Sequence, residues 1–109
     1  MRSVLSRLGV KNRHALAYQS RTGPVRWIGP GVPETITRLA REGVRDLLVV
    51  PVSFVGDHIE TLYEVDQLFA AHAKRAGIRD YTRSAALNTH PLFIEALAGL
   101  VERRLQAAP

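Results

Sequence analysis

Apolar and polar positions repeat with two different periods along the chain, and the changes of period divide it into seven predicted helices and strands. Apolar residues at helical spacing before a glycine predict a short helix over residues 2 to 8. The stretch HALAYQS, residues 14 to 20, precedes a loop rich in glycine and proline and is typical of a strand. Residues 33 to 42 form the next predicted helix, in which Ile36 and Leu39 face inward.

The most apolar segment is DLLVVPVSFV, residues 46 to 55, which predicts a strand covered on both faces. Pro51 cannot donate a hydrogen bond to a neighbouring strand, so the regular strand is expected to end near it. A helix is predicted from residue 57 to residue 76, with an apolar stripe of Ile59, Leu62, Val65, Leu68 and Phe69. A weaker edge strand follows over residues 78 to 87, and residues 88 to 105 form the last predicted helix.

The resulting order of elements, α-β-α-β-α-β-α, predicts an α/β fold with a parallel sheet and helices on both faces. At 109 residues the chain is long enough for one core, so we take residues 1–109 as a single domain. About three strands and four helices make a thin sheet, and the first helix lacks the strand that should precede it. We therefore expect a partial domain, one half of a larger doubly wound unit.

Composition removes several classes of site and partner. The chain has no cysteine, which excludes disulfides, thiolate zinc sites and cysteine-bound iron–sulfur clusters. No apolar run reaches the roughly 20 residues that a membrane span needs, and the first ten residues lack the apolar stretch of a signal peptide. We therefore expect a cytoplasmic protein without a membrane span. The 15 basic residues are scattered rather than clustered with aromatic residues, so a nucleic acid is not an expected partner.

Acidic residues are concentrated directly after the predicted central strand, in the segment FVGDHIETLYEVD. Asp57, Glu60 and Glu64 are three and four residues apart and would share one face of a helix, whereas the neighbouring His58 would point away from that face. A row of carboxylates at the carboxyl end of a parallel strand suits a divalent metal ion or a proton relay. The alternative is structural, because Asp57 would also serve as a helix cap and Glu64 as a solvated surface residue.

Two stretches resemble the second domain of ferrochelatases, the enzymes that insert ferrous iron into a porphyrin to make haem. They are YQSRTGPVRWIGP, residues 18 to 30, and VPVSFVGDHIETLYEVD, residues 50 to 66. The segment NTHPLFIEALAGLVERRL is similar to the family's closing segment, and the whole resemblance covers roughly residues 13 to 105. It implies the C-terminal portion of an enzyme in which two similar α/β domains flank a porphyrin cleft. It also implies a π-bulge in the helix after DHIET.

The resemblance assigns roles to particular residues. Glu60 matches the active-site glutamate, which takes part in proton removal or metal transfer, and His58 matches the histidine hydrogen-bonded within the acidic network. Asp57 and Glu64 match carboxylates that lead outward from the site as metal ligands, together with Glu60. The matched porphyrin-binding residues are Gln19, Ser20, Arg21 and Trp27, although core packing is an equal alternative for the tryptophan. Ferrous iron and porphyrin are then substrates, and no bound cofactor is expected.

Other features of the family are not found in this sequence. The family's catalytic histidine lies upstream in a His-Gly context, which none of His14, His58, His72 and His90 has, and the GDPY segment is also missing. Three interpretations follow. The chain is the C-terminal part of a ferrochelatase and nearly inactive without the missing N-terminal portion; or it is a short chelatase working as a homodimer; or it is a non-enzymatic domain that binds metal or tetrapyrrole. We favour the first.

Overall fold

The computed structural model describes residues 2–19 and 24–108. Its elements in chain order are α1 (Arg2–Leu8), α2 (Val32–Arg41), β1 (Asp46–Val49), a π-helix (Glu60–Phe69), α3 (Ala70–Ala76), β2 (Asp80–Arg83) and α4 (Pro91–Gln106). The positions of α1, α2 and α4 confirm the predicted helices to within a few residues. Across the described part of the chain, no helix is long and apolar enough to cross a membrane.

β1 and β2 pair in parallel, with Asp46 opposite Asp80 and Val49 opposite Arg83. The chain passes from one strand to the other through the π-helix and α3, which is the crossover that a parallel pair requires. This pairing confirms the predicted α/β class with a parallel sheet. β1 also ends just before Pro51, as the missing backbone donor of proline predicted.

The strand predicted over residues 14 to 20 is wrong for the residues that the structure describes there. Tyr18 forms one isolated parallel bridge with Gly31, in which its backbone N–H donates to the Pro30 carbonyl over 2.9 Å. Proline has no backbone N–H to return, so the ladder cannot continue past this bond. The apolar composition of the segment indicated a strand, but the backbone that it meets is a proline-containing loop.

The core lies between one face of the sheet and the helices α2, α3 and the π-helix. Its buried members form one cluster, Ile36, Ala40, Val65, Phe69, Ala73 and Ile78, and Leu39 is also buried. From the sheet, Leu47, Val49 and Tyr81 pack against this cluster. The inward-facing positions predicted for α2 are therefore confirmed.

The prediction that the run of residues 46 to 55 is covered on both faces is wrong in this structure. Burial alternates along β1, and Leu48, Val50 and Val52 are exposed. The reason is that the helices of the core all pack on the side of Leu47 and Val49. Every residue of α4 is described, and none of them is buried. Apolar surface thus remains exposed on both the sheet and the last helix.

The helix after DHIET is π-helical for ten residues before it continues as α3. This confirms the π-bulge implied by the family resemblance, in a longer form. The buried residues Thr61, Val65, Phe69 and Ala73 are spaced four apart along the π-helix and α3. The predicted stripe is therefore only partly correct: Val65 and Phe69 are buried, but Ile59, Leu62 and Leu68 are exposed.

β2 is fastened to the π-helix by a tyrosine. The Tyr81 hydroxyl donates a hydrogen bond of 2.8 Å to the backbone carbonyl of Val65, in the middle of that helix. Burial, followed by the negative charge of Asp66, raises the pKa of Tyr81 to about 12. The neutral phenol is thus the form that the folded chain favours.

Tyr81→Phe tests this attachment. Removing one hydrogen bond is expected to lower the free energy of unfolding by about 0.5–1.5 kcal/mol near neutral pH. Because an unfolded tyrosine ionises near pH 10 and the folded Tyr81 ionises near 12, the stabilisation is complete below pH 10 and disappears as the pH rises towards 12. Urea denaturation of both proteins, from about pH 8 upward, measures the difference. A difference that does not change with pH would contradict the role of the phenol.

Candidate functional site

The candidate site occupies the start of the π-helix, after the carboxyl end of β1. Thr61 fixes the backbone there and is fully buried. Its hydroxyl oxygen accepts a hydrogen bond of 3.0 Å from the His58 backbone N–H, and the same hydroxyl lies 3.0 Å from the His58 carbonyl and 3.3 Å from Asp57 Oδ1. The threonine of the DHIET motif therefore sets the conformation from which Asp57, His58 and Glu60 project.

His58 and Glu60 form a pair suited to proton transfer. His58 Nδ1 lies 3.1 Å from the Gly56 carbonyl, and because a carbonyl can only accept, Nδ1 carries the hydrogen. In the neutral ring the lone pair is then on Nε2, which lies 3.6 Å from Glu60 Oε2. The edge of the His58 ring meets Phe54 at a centroid distance of 4.7 Å, which further fixes the ring. The two groups are neighbours at a distance that a small side-chain movement would shorten to a hydrogen bond.

Gln19 connects the loop before α2 to the acidic row. Its Nε2 donates to Glu64 Oε2 over 2.8 Å and to the Glu60 carbonyl over 3.0 Å, which uses both hydrogens of the amide. Gln19 was predicted beside the porphyrin, and it lies directly against the π-helix. These two hydrogen bonds therefore hold Gln19, which precedes the predicted porphyrin loop, against the row of carboxylates.

Asp57 has a different environment from the two glutamates. Its Oδ2 accepts a hydrogen bond of 3.1 Å from Asn88 Nδ2, and its own backbone N–H donates to Asn88 Oδ1 over 2.8 Å. Arg83 Nη1 lies 3.2 Å from Oδ1. The hydrogen bond from Asn88 and then the charge of Arg83 hold the pKa of Asp57 below its ordinary value, against the opposing effect of burial. Both carboxylate oxygens are thus in use.

The predicted site residues are brought together in part. The structure pairs His58 with Glu60 and Gln19 with Glu64, whereas Asp57 is turned to Asn88. Among residues 2–19 and 24–108, no three His, Asp or Glu side chains are gathered closely enough to hold a metal ion. The roles of Asp57, Glu60 and Glu64 in binding metal therefore remain predictions.

The predicted porphyrin contacts lie in a region that is only partly described. Ser20 and Arg21 fall outside the described residues. Trp27 is 44% exposed and lies outside the core cluster of the described residues. Its place beside a porphyrin remains a prediction.

Two residues of the site were not singled out from the sequence, Arg83 and Asn88. Arg83 is the last residue of β2 and Asn88 lies between β2 and α4, so both are at or beyond the carboxyl end of the strand that pairs with β1. The signal that would have found them is topological. In a parallel pair the carboxyl ends of both strands lie at one edge, so polar residues after β2 are candidates to meet those after β1.

Comparison with known proteins gives the same family throughout. The family model described as Ferrochelatase matches residues 1–105. A protein named Ferrochelatase from Geotalea uraniireducens (strain Rf4) is 52% identical over 107 residues, which are 98% of this chain and 33% of that protein. The Ferrochelatase of Geotalea daltonii is 55% identical over 102 residues, 94% of this chain and 32% of the relative. The Ferrochelatase of Picosynechococcus sp. is 49% identical over 106 residues, which are 97% of this chain and 28% of that protein.

These matches cover nearly all of the chain but a smaller share of the relatives. The chain spans about a third of the length of the curated relatives it matches. The match also includes both motifs on which the resemblance rested, since residues 18 to 66 lie inside the matched region. The chain belongs to the ferrochelatase family.

Proposed function

We propose that this chain is the C-terminal portion of a ferrochelatase that inserts ferrous iron into a porphyrin in haem biosynthesis. Family membership supports the general function. The observation that carries the proposal is the His58–Glu60 pair, in which His58 Nε2 lies 3.6 Å from Glu60 Oε2. Both side chains remain partly exposed at the start of the π-helix, so a substrate can reach them.

The reaction explains why these residue types are needed. Metallation removes two protons from the pyrrole nitrogens and replaces the water around a divalent ion with nitrogen ligands. Glu60 would accept a proton and share it with His58 Nε2, which is the transfer that their geometry favours. Glu64 would supply a further oxygen ligand to the arriving iron, since carboxylate oxygens suit such an ion. Its position is set by the hydrogen bond from Gln19.

Asp57 is the third carboxylate of the proposed metal path. Because its two oxygens already face Asn88, Thr61 and Arg83, it would bind iron only by releasing one of these partners. We therefore place the transfer of iron on Glu60 and Glu64, with Asp57 at the N-terminal end of the row. Gln19, Ser20, Arg21 and Trp27 are the proposed contacts to the porphyrin.

The remainder of the enzyme is part of this proposal. The chain spans about a third of its relatives, and a porphyrin cleft needs two walls to hold the macrocycle. We expect the isolated chain to be nearly inactive and the missing N-terminal portion to be its partner, with the cytoplasm as the predicted compartment. A homodimeric chelatase or a domain that only binds metal or tetrapyrrole are the alternatives.

A hybrid enzyme tests the function. In it, this chain replaces the matching segment of the Geotalea uraniireducens relative, which it matches over 107 residues at 52% identity. We expect the hybrid to insert iron into porphyrin, whereas the relative without that segment and the isolated chain do not. The assay follows the change in porphyrin absorbance on metallation. A folded hybrid without metallation would contradict the proposal, and turnover by the isolated chain as a dimer would favour the homodimer.

Glu60→Gln in the hybrid enzyme tests the proposed proton acceptor. The amide keeps the size of the side chain but cannot accept a proton, so metallation should fall at least about a hundredfold. Porphyrin binding, followed by fluorescence quenching, should change little. The control is Glu95→Gln, which removes an exposed carboxylate from α4 and should leave both measurements unchanged. Wild-type turnover of Glu60→Gln would remove the proposed role.

Glu64→Gln separates the delivery of iron from the chemistry. The amide oxygen can still accept the hydrogen bond from Gln19, so the local structure is retained while the charge is lost. We expect a higher KM for ferrous iron with a smaller change in kcat, because the loss affects the arriving ion. Steady-state rates over a range of iron concentrations measure the effect. An unchanged dependence on iron would contradict this role.

A further inference from the structure

Arg83 is a nearly buried cation that contacts two carboxylates. Its side chain is 12% exposed, and its Nε and Nη2 donate to Asp66 Oδ1 and Oδ2 over 2.5 and 2.9 Å, in a bidentate pair. The remaining nitrogen, Nη1, lies 3.2 Å from Asp57 Oδ1 and donates to the Ser84 carbonyl over 3.2 Å. All three guanidinium nitrogens therefore have acceptors, which fixes the orientation of the group.

The two aspartates bracket the proposed active-site residues along the chain. Asp57 precedes the π-helix, Asp66 lies in its second half, and Glu60 and Glu64 lie between them. One guanidinium that holds both aspartates fixes the distance between the two ends of this segment. It also adds a positive charge to a segment whose carboxylates repel one another. The glutamates therefore project from a segment that is fixed at both ends.

The same strand supplies a second attachment. Tyr81 and Arg83 are two residues apart in β2 and so lie on the same face of the sheet. Tyr81 donates to the Val65 carbonyl, and Arg83 pairs with the next side chain along the helix, Asp66. Because a π-helix is a rare form, it needs support from outside its own backbone, and here β2 provides it.

We propose that Arg83 is a positioning residue, which holds the π-helix at Asp57 and Asp66 and thereby places Glu60 and Glu64 for metal and proton transfer. The catalytic part of this inference rests on the proposed function, whereas the structural part does not. Arg83 forms no hydrogen bond or ion pair with Glu60 or Glu64, the two residues on which we place the transfer. Its effect passes through the two aspartates.

Hydrogen exchange of the full 109-residue chain tests the structural part. Arg83→Met keeps the aliphatic length of the side chain and removes the charge and all its hydrogen bonds. We expect the amides of residues 60 to 69 to exchange at least about tenfold faster, with α2 unchanged, as expected for local opening. The matched control is Arg79→Met, because Arg79 also pairs with two aspartates, Asp46 and Asp80, but its side chain is 69% exposed. Equal protection in Arg83→Met and wild type would overturn the proposal.

Two further variants keep the test decisive if Arg83→Met does not fold. Asp66→Asn removes one charge from the bidentate pair and should give a smaller loss of protection, confined to the same residues. Arg83→Lys keeps the charge but cannot form the bidentate pair, so it should restore protection only in part. Full protection in both variants would overturn the proposed attachment.

The hybrid enzyme tests the catalytic part. Arg83→Met should raise the KM for ferrous iron by about tenfold and leave the KM for porphyrin unchanged, since only the acidic row is displaced. A general loss of folding would alter both constants, and Arg79→Met should alter neither. If the wild-type hybrid is inactive, the proposed function fails, while the exchange measurements still decide whether Arg83 fixes the helix. Unchanged kinetics in an active hybrid would overturn its positioning role.

Discussion

The attachment of the π-helix to β2 is the constraint on which the rest of the site depends. A helix with i→i+5 hydrogen bonds is rare, and this one begins in a segment with four carboxylates, at residues 57, 60, 64 and 66. The guanidinium of Arg83 pairs with the outer two carboxylates, those of Asp57 and Asp66. The hydroxyl of Tyr81 donates a hydrogen bond to the backbone carbonyl of Val65, which lies between them. A bidentate pair with little exposure is the kind of ion pair that contributes to stability, unlike most pairs at the surface.

This arrangement separates the residues that fix the site from those that do its proposed chemistry. The fixed groups, Asp57, Thr61 and Asp66, have their polar atoms in hydrogen bonds or ion pairs. His58 and Glu60 keep partly exposed side chains, and His58 Nε2 lies 3.6 Å from Glu60 Oε2. The backbone is thus held rigidly while the reactive groups stay accessible, which is what rapid transfer of protons requires.

The period of the apolar positions predicted the helices well because the hydrogen bonds of a helix join residues close in sequence. The buried Ile36 and Leu39 of α2 are an example. It failed where a distant contact decides the structure. The stripe through Ile59 and Leu62 assumed 3.6 residues per turn, but the helix from Glu60 is π-helical and both residues are exposed. For the site, the motif located Glu60 and His58, whereas the partners of Asp57 come from residues 83 and 88, which no local spacing indicates.

The exposed apolar residues bear on how the chain works. Leu48, Val50 and Val52 leave one face of the sheet uncovered, and α4 contributes no buried residue although its sequence is rich in leucine. Exposure of apolar surface to water is unfavourable in free energy. A continuous apolar patch usually marks a contact with another part of the protein or with a partner. The chain spans about a third of the length of its relatives, so this surface is available for contact with the remainder of the proposed enzyme. The candidate site lies at the carboxyl end of that same sheet, so the uncovered face borders the site.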